Sequence, residues 1–204
     1  FVHEPKQPTA AQPCAPLSRA ALARLDAGYW WVVGVGVVFT LARFSEAFLI
    51  LRAGEAGLSP ISAPLVLVLM GIAFSLSAYP AGALSDRVSR VIVLVVGIGV
   101  LIAADLVLAF VPGLAGLAVG VVLWGLHMGC TQGVFAALVA ERAPAELRGT
   151  AFGVFHLLTG LALLLASVIA GALWDAWGYR GTFLCGAVFA SLTLLGMTTL
   201  RQRS

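Results

Sequence analysis

The chain has 204 residues, 61% of them hydrophobic and only 10% charged, with a formal net charge of +3 and a mean hydropathy of +1.03. So little polar surface cannot clothe a water-soluble globule, and the composition is that of an integral membrane protein. The basic residues are scattered instead of gathered into a stripe, which argues against a nucleic-acid surface.

Residues 1–28 differ in kind from the rest. Pro5, Pro8, Pro13 and Pro16, with no apolar run, read as a flexible cytoplasmic linker between domains. The start on Phe1, without a signal-peptide pattern, reads as a piece of a longer chain. From Tyr29 onward, apolar runs fall at roughly 29–51, 61–84, 91–111, 114–140, 149–174 and 181–200, each near the length of about 20 residues that a spanning helix needs. Continuous runs exclude the alternating strands of a membrane barrel. The expected fold is all-α, with residues 29–204 forming one six-helix transmembrane domain. Cys14, Cys130 and Cys185 are too widely spaced for a zinc site or a disulfide framework and read as packing residues. No metal or cofactor is expected.

Orientation follows from the basic residues. With a cytoplasmic N-terminus, Lys6, Arg19, Arg24, Arg87, Arg90, Arg142, Arg148, Arg201 and Arg203 lie inside, and only Arg52 and Arg180 lie in outer connections. That asymmetry satisfies the positive-inside rule and puts both termini in the cytoplasm.

Within the first span, Arg43 and Glu46 are three residues apart, which on one helix places them on a face with Phe39 and Ile50 and allows them to pair. A charge at the centre of a span costs about 2.5–3.5 kcal/mol, so such residues are candidates for a translocation path that binds charge or exchanges a proton. Between the second and third spans lies Gly82-Ala83-Leu84-Ser85-Asp86-Arg87-Val88-Ser89-Arg90. Here Gly82 is expected to let helices approach, Asp86 to cap a helix start, and Arg87 and Arg90 to anchor at the headgroups. Asp105, in the third span, reads as a packing or outer-interface residue.

On the fourth span Gly125, Gly129 and Gly133 recur every four residues, a stripe suited to close helix contact, while Gly116, Gly120, Trp124, His127 and Thr131 occupy the other side. That other side is the expected cavity face, near the membrane midplane. On the fifth span His156 lies beside Gly149, Gly153, Gly160 and Gly171 and reads as an interhelical partner, while Thr159 and Phe152 face a cavity. Gly82-Ala83-Leu84-Ser85-Asp86 ends the second span and Gly171-Ala172-Leu173-Trp174-Asp175 ends the fifth, an echo expected of two inverted three-helix repeats.

The stretch Gly82 to Arg90 resembles the signature loop of the major facilitator superfamily, Gly-x-Leu-Ser-Asp-Arg-x-Gly-Arg-Arg, with Ser89 and Val91 departing from it. The run Glu141 to Gly153 is similar to that family's connection between its tenth and eleventh helices, and Phe1 to Pro5 to the exit from its sixth. The resemblance implies the C-terminal half, helices seven to twelve, of a bacterial inner-membrane transporter working by alternating access. It implies a small-molecule substrate, an N-terminal six-helix half as partner, and a gate at Gly82, Leu84, Asp86, Arg87 and Arg90. Candidates for the substrate or proton path are Arg43, Glu46, Trp124, His127, Thr131 and Thr159. Proton coupling and export are expectations of the same kind. A haem protein using His127 and His156, or a scaffold subunit, are the competing readings. No phosphate-binding loop is present to support ATP-driven transport.

Overall fold

The computed structural model describes residues 22–201, all of whose regular structure is helical. Most of the 1–28 linker therefore lies outside the described residues. Asp26 caps the first helix, α1 (Ala27–Ala42), by accepting a hydrogen bond from the Tyr29 backbone N–H at 2.7 Å.

The first span is not one helix. Backbone leaves the helical region at Arg43 (φ −107°, ψ 85°), and a second short helix, α2 (Ala47–Glu55), completes the crossing. The groups this frees find partners: the Ser45 N–H donates to Ser167 Oγ at 3.2 Å and the Phe48 N–H to the Ser45 carbonyl at 3.1 Å. Irregular backbone at this depth is tolerated where protein covers it or a cavity adjoins it. At the far end, Gly57 has φ 93°, and Leu58 N–H reaches back to the Ala53 carbonyl at 3.0 Å while Gly57 N–H reaches Gly54 at 2.9 Å. Those two bonds form a Schellman stop, for which a left-handed glycine is suited.

The second span, α3 (Leu65–Ser85), starts four residues later than the apolar run suggests, because Pro60 and Pro64 precede it. Then come α4 (Arg90–Phe110) and α5 (Gly113–Arg142), followed by a 3-10 turn at Ala145–Leu147. Among the described residues, five helical stretches are long and apolar enough to cross a bilayer. The last holds two crossings, because Gly178 (φ 67°) interrupts Arg148–Arg201. We designate its arms α6 (148–177) and α7 (179–201). They fold back on each other: the Thr182 hydroxyl donates to the Ala170 carbonyl at 3.0 Å, whereas twelve residues of straight helix would separate them by about 18 Å.

The spans pack in two groups joined at one further seam. The fourth span, α5, lies against α3 and α4; the first span lies against α6 and α7; and α4 meets α7. Glycine sets the closest of these seams. A Cβ on Gly125 would stand 2.7 Å from Ala73 Cβ and 3.0 Å from the Phe74 backbone nitrogen, and one on Gly129 would stand 3.0 Å from the Ala78 nitrogen. Gly133, the third member of the expected stripe, touches nothing within 4 Å. Apolar solvent does not drive helices together inside a membrane, so such backbone approach is a principal source of cohesion.

Candidate functional site

Beside the break in the first span lies a cavity of about 450 Å³ between α1, α5 and α6. Gly36, Phe39, Thr40 and Arg43 form one wall, Gln132 and Phe135 another, and Phe155, His156, Thr159, Gly160 and Leu163 the third. Gly36 shapes it, since the Phe155 ring comes to 2.7 Å from where a Cβ would sit. The cavity runs from the middle of the bundle toward the end where α1 and α6 begin and α5 finishes, the end that carries Arg142 and Arg148.

Three rings give it an aromatic surface. Phe39 and Phe135 stack at 5.5 Å between centroids, and Phe135 and Phe155 lie 6.1 Å apart. The hydroxyls of Thr40 and Thr159 donate to the carbonyls of Gly36 (2.7 Å) and Phe155 (2.8 Å), so toward the cavity they offer acceptor lone pairs only. Hydrogen-bond donors come from Arg43, Gln132 and His156. Among the described residues, neither the Gln132 nor the His156 side chain has a hydrogen-bond partner, and both are exposed to the cavity.

Arg43 pairs with Glu46 at 3.7 Å, with side-chain exposures of 22% and 42%. They meet across the unwound link between α1 and α2, not along one helix face as the spacing suggests. Arg43 lines the cavity and Glu46 does not. A pair so open is worth at most about 1 kcal/mol to stability.

Trp124, His127 and Thr131 are all fully buried and do not line the cavity. Their side of α5 is covered by α4: Thr131 Cγ2 comes to 2.6 Å from the position of a Cβ on Gly97, and Leu108 packs on Gly120. His127 instead lies behind Phe39 at 6.4 Å between ring centroids, and beside Trp124 at 5.5 Å. Neither His127 nitrogen nor the Trp124 indole nitrogen has a hydrogen-bond partner. The face opposite a glycine stripe is thus a second packing face. With His127 sealed and His156 in the cavity, the two do not form an axial pair for haem.

His156 differs from its expected interhelical role in the opposite sense. Gly149, Gly153 and Gly160 meet nothing within 4 Å and Gly171 only the Phe48 ring at 4.0 Å, so that sector of α6 is an open face and not a seam. Gln132 is one of the few polar residues inside a span, and it stands one residue beyond Thr131, on the neighbouring face of α5.

At the Arg142 end, the loop between α3 and α4 borders a second hollow of about 400 Å³, lined by Ser85, Asp86, Ser89, Arg90 and Glu141. Arg90, at the start of α4, forms an ion pair with Glu141 at the end of α5. Asp86 caps no helix start. It sits at the C-terminal end of α3, where only its backbone N–H bonds back, to Gly82 at 3.2 Å, and Ser89 precedes α4 without a side-chain cap. Gly82 has open space around it, and Leu84 and Arg87 are exposed.

A six-crossing α-bundle with a discontinuous first span, a midplane cavity and a charged loop after the second span invites comparison with known carriers. The profile of the Major Facilitator Superfamily matches residues 27–203. The chain belongs to this superfamily. It is 33% identical over 165 residues to an uncharacterized MFS-type transporter of Methanocaldococcus jannaschii, covering 78% of this chain and 41% of that protein. It is 28% identical over 160 residues to the niacin transporter of Acinetobacter baylyi (78% and 36%) and 33% identical over 122 residues to the multidrug efflux pump Tap of Mycobacterium bovis (58% and 29%). The chain thus spans less than half the length of the curated relatives it matches. The relatives with a stated role are named as transporters.

Proposed function

We propose that the chain is the C-terminal six-helix half of a secondary transporter, and that the cavity at Arg43 is this half's contribution to an alternating-access substrate site. The observation that carries the reading is the coincidence of a helix break, an arginine and unpartnered donors on Gln132 and His156 beside an aromatic wall. Discontinuous helices that place polar groups at the midplane are how secondary transporters hold substrate. Rings and donors without a carboxylate on the lining suit a small amphipathic molecule with an aromatic face and an acceptor or anionic group. The likeness to a niacin transporter and a multidrug efflux pump supports a substrate of that size, and the second supports export. Proton coupling fits the titratable groups buried in the bundle.

The Arg90–Glu141 pair and the loop from Gly82 to Arg90 are assigned to the cytoplasmic gate, with both chain ends cytoplasmic in a bacterial inner membrane. After replacement of the native cysteines, a cysteine at Ser89 should resist an impermeant external thiol reagent and one at Trp177 should react. Labelling of Ser89 from outside overturns that orientation.

For transport itself, residues 1–204 reconstituted alone should show no saturable flux of nicotinate or ethidium, and co-reconstitution with the six-helix N-terminal half should restore it for one of them. Saturable flux from the 204 residues alone would contradict the half-site reading.

A further inference from the structure

Asp105 is a carboxylate in the C-terminal third of α4 with no exposed surface and no hydrogen-bond partner on either oxygen. Its place is made by an absent side chain on α7: Oδ2 lies 2.7 Å from where a Cβ on Gly186 would be, and the Phe44 ring reaches the same point at 3.0 Å. Phe44 belongs to the break in the first span. It is buried and also packs on Trp124 of α5 (5.4 Å) and Phe183 of α7 (5.5 Å). Gly186 and Phe44 also border a void of about 10 Å³, together with Thr182 and Cys185, at the lower limit of space for one water.

An unpartnered buried charge is not tolerated in such a setting, whereas a neutral carboxyl is. The titratable groups on the surrounding elements are Cys185 on α7, Arg52 on α2, His127 on α5 and, across Phe44, the Arg43–Glu46 pair. None of them bonds Asp105. Arg52 is committed elsewhere, donating to the carbonyls of Leu108 (3.1 Å) and Val111 (3.2 Å) and lying 4.1 Å over the Tyr179 ring.

We propose that Asp105 is a proton-binding site of the transport cycle, separate from the Arg43 cavity and mechanically joined to it through Phe44. With the proton bound, the carboxyl is neutral and the α4–α7 seam closes on Gly186 and Phe44 as observed. On release, the carboxylate requires water, and admitting it at the void beside Gly186 displaces Phe44 and with it the break that positions Arg43. The step moves one proton between Asp105 and water and needs no other reactant.

The proposal rests on the transport reading, and two measurements on the full-length transporter separate them. In proteoliposomes, Asp105→Asn should lose accumulation of nicotinate or ethidium driven by a pH gradient while retaining exchange of labelled for unlabelled probe. Accumulation at the wild-type rate overturns the proposal. Independently of any substrate, infrared difference spectra across a pH jump should show a protonated-carboxyl carbonyl band that titrates in the wild type and vanishes in Asp105→Asn. A band that persists in the variant, or a wild-type band that does not titrate, overturns it even if the variant has lost all flux. A titrating Asp105 band in a protein that moves neither probe would retire the transport reading for those probes and leave the proton site standing.

Discussion

The two faces of the bundle that carry periodic glycines do opposite things. On α5, Gly125 and Gly129 lie against the backbone of α3, and on α6, Gly149, Gly153 and Gly160 face open space. Recurring glycines therefore mark a seam in one helix and an open face in the other, where only Gly160 lines the cavity. The difference lies in what stands opposite. Ala73 and Ser77 belong to a helix whose backbone lies directly on the α5 glycines, whereas the first span meets α6 through Ala151 and Ser167 and leaves its glycine sector uncovered. In a bilayer, lipid and protein interior are equally apolar, so hydrophobic periodicity does not say which face is covered.

Substitutions on the two faces test this contrast. The largest effect is expected at the α5–α3 seam: Gly125→Val inserts a branched side chain against Met70, Ala73 and Phe74 and should cost about 3 kcal/mol or more by overpacking, visible as a lowered Tm and poor folded yield in detergent. Next comes Arg52→Met on α2, which removes two charge-assisted bonds to carbonyls at the C-terminal end of α4 and should cost about 2 kcal/mol. Thermal unfolding would register that loss, and substrate affinity should not change.

Arg43→Gln reverses the pattern. Stability should change by less than about 1 kcal/mol, because the Glu46 pair is open and long. Affinity for an anionic probe should fall roughly 10- to 100-fold, the loss of one charged hydrogen bond, as read by equilibrium binding to the full-length transporter. Smallest is Gly160→Ala, where nothing lies within 4 Å; helix propensity should raise stability by at most about 1 kcal/mol. Destabilisation at Gly160 comparable to that at Gly125 would erase the distinction between the faces.

Much of the fold was legible in the chain: the helical class, six crossings, the loop after the second span and the Gly125–Gly129 seam all follow from apolar run lengths, charge placement and spacing. The break at residues 43–46 was not, because Arg43-Phe44-Ser45-Glu46 contains neither proline nor glycine; it depends on Ser167 from another helix accepting the freed Ser45 N–H. Nor could the wheel of α5 assign its polar face. Trp124, His127 and Thr131 are covered by α4 and by Phe39, a fact of tertiary packing, while Gln132, one residue on, reaches the cavity.

On the proposed function, the α6 face beside Arg43 and Gln132 is a wet substrate surface. In a cysteine-free background of the full-length transporter, a cysteine at Gly160 should react with a water-soluble thiol reagent and be slowed by whichever of nicotinate or ethidium is transported, while one at Ser77, in the α3–α5 seam, should stay unreactive until unfolding. Reaction at residue 160 only with a lipid-soluble reagent, unaffected by either probe, would contradict the account.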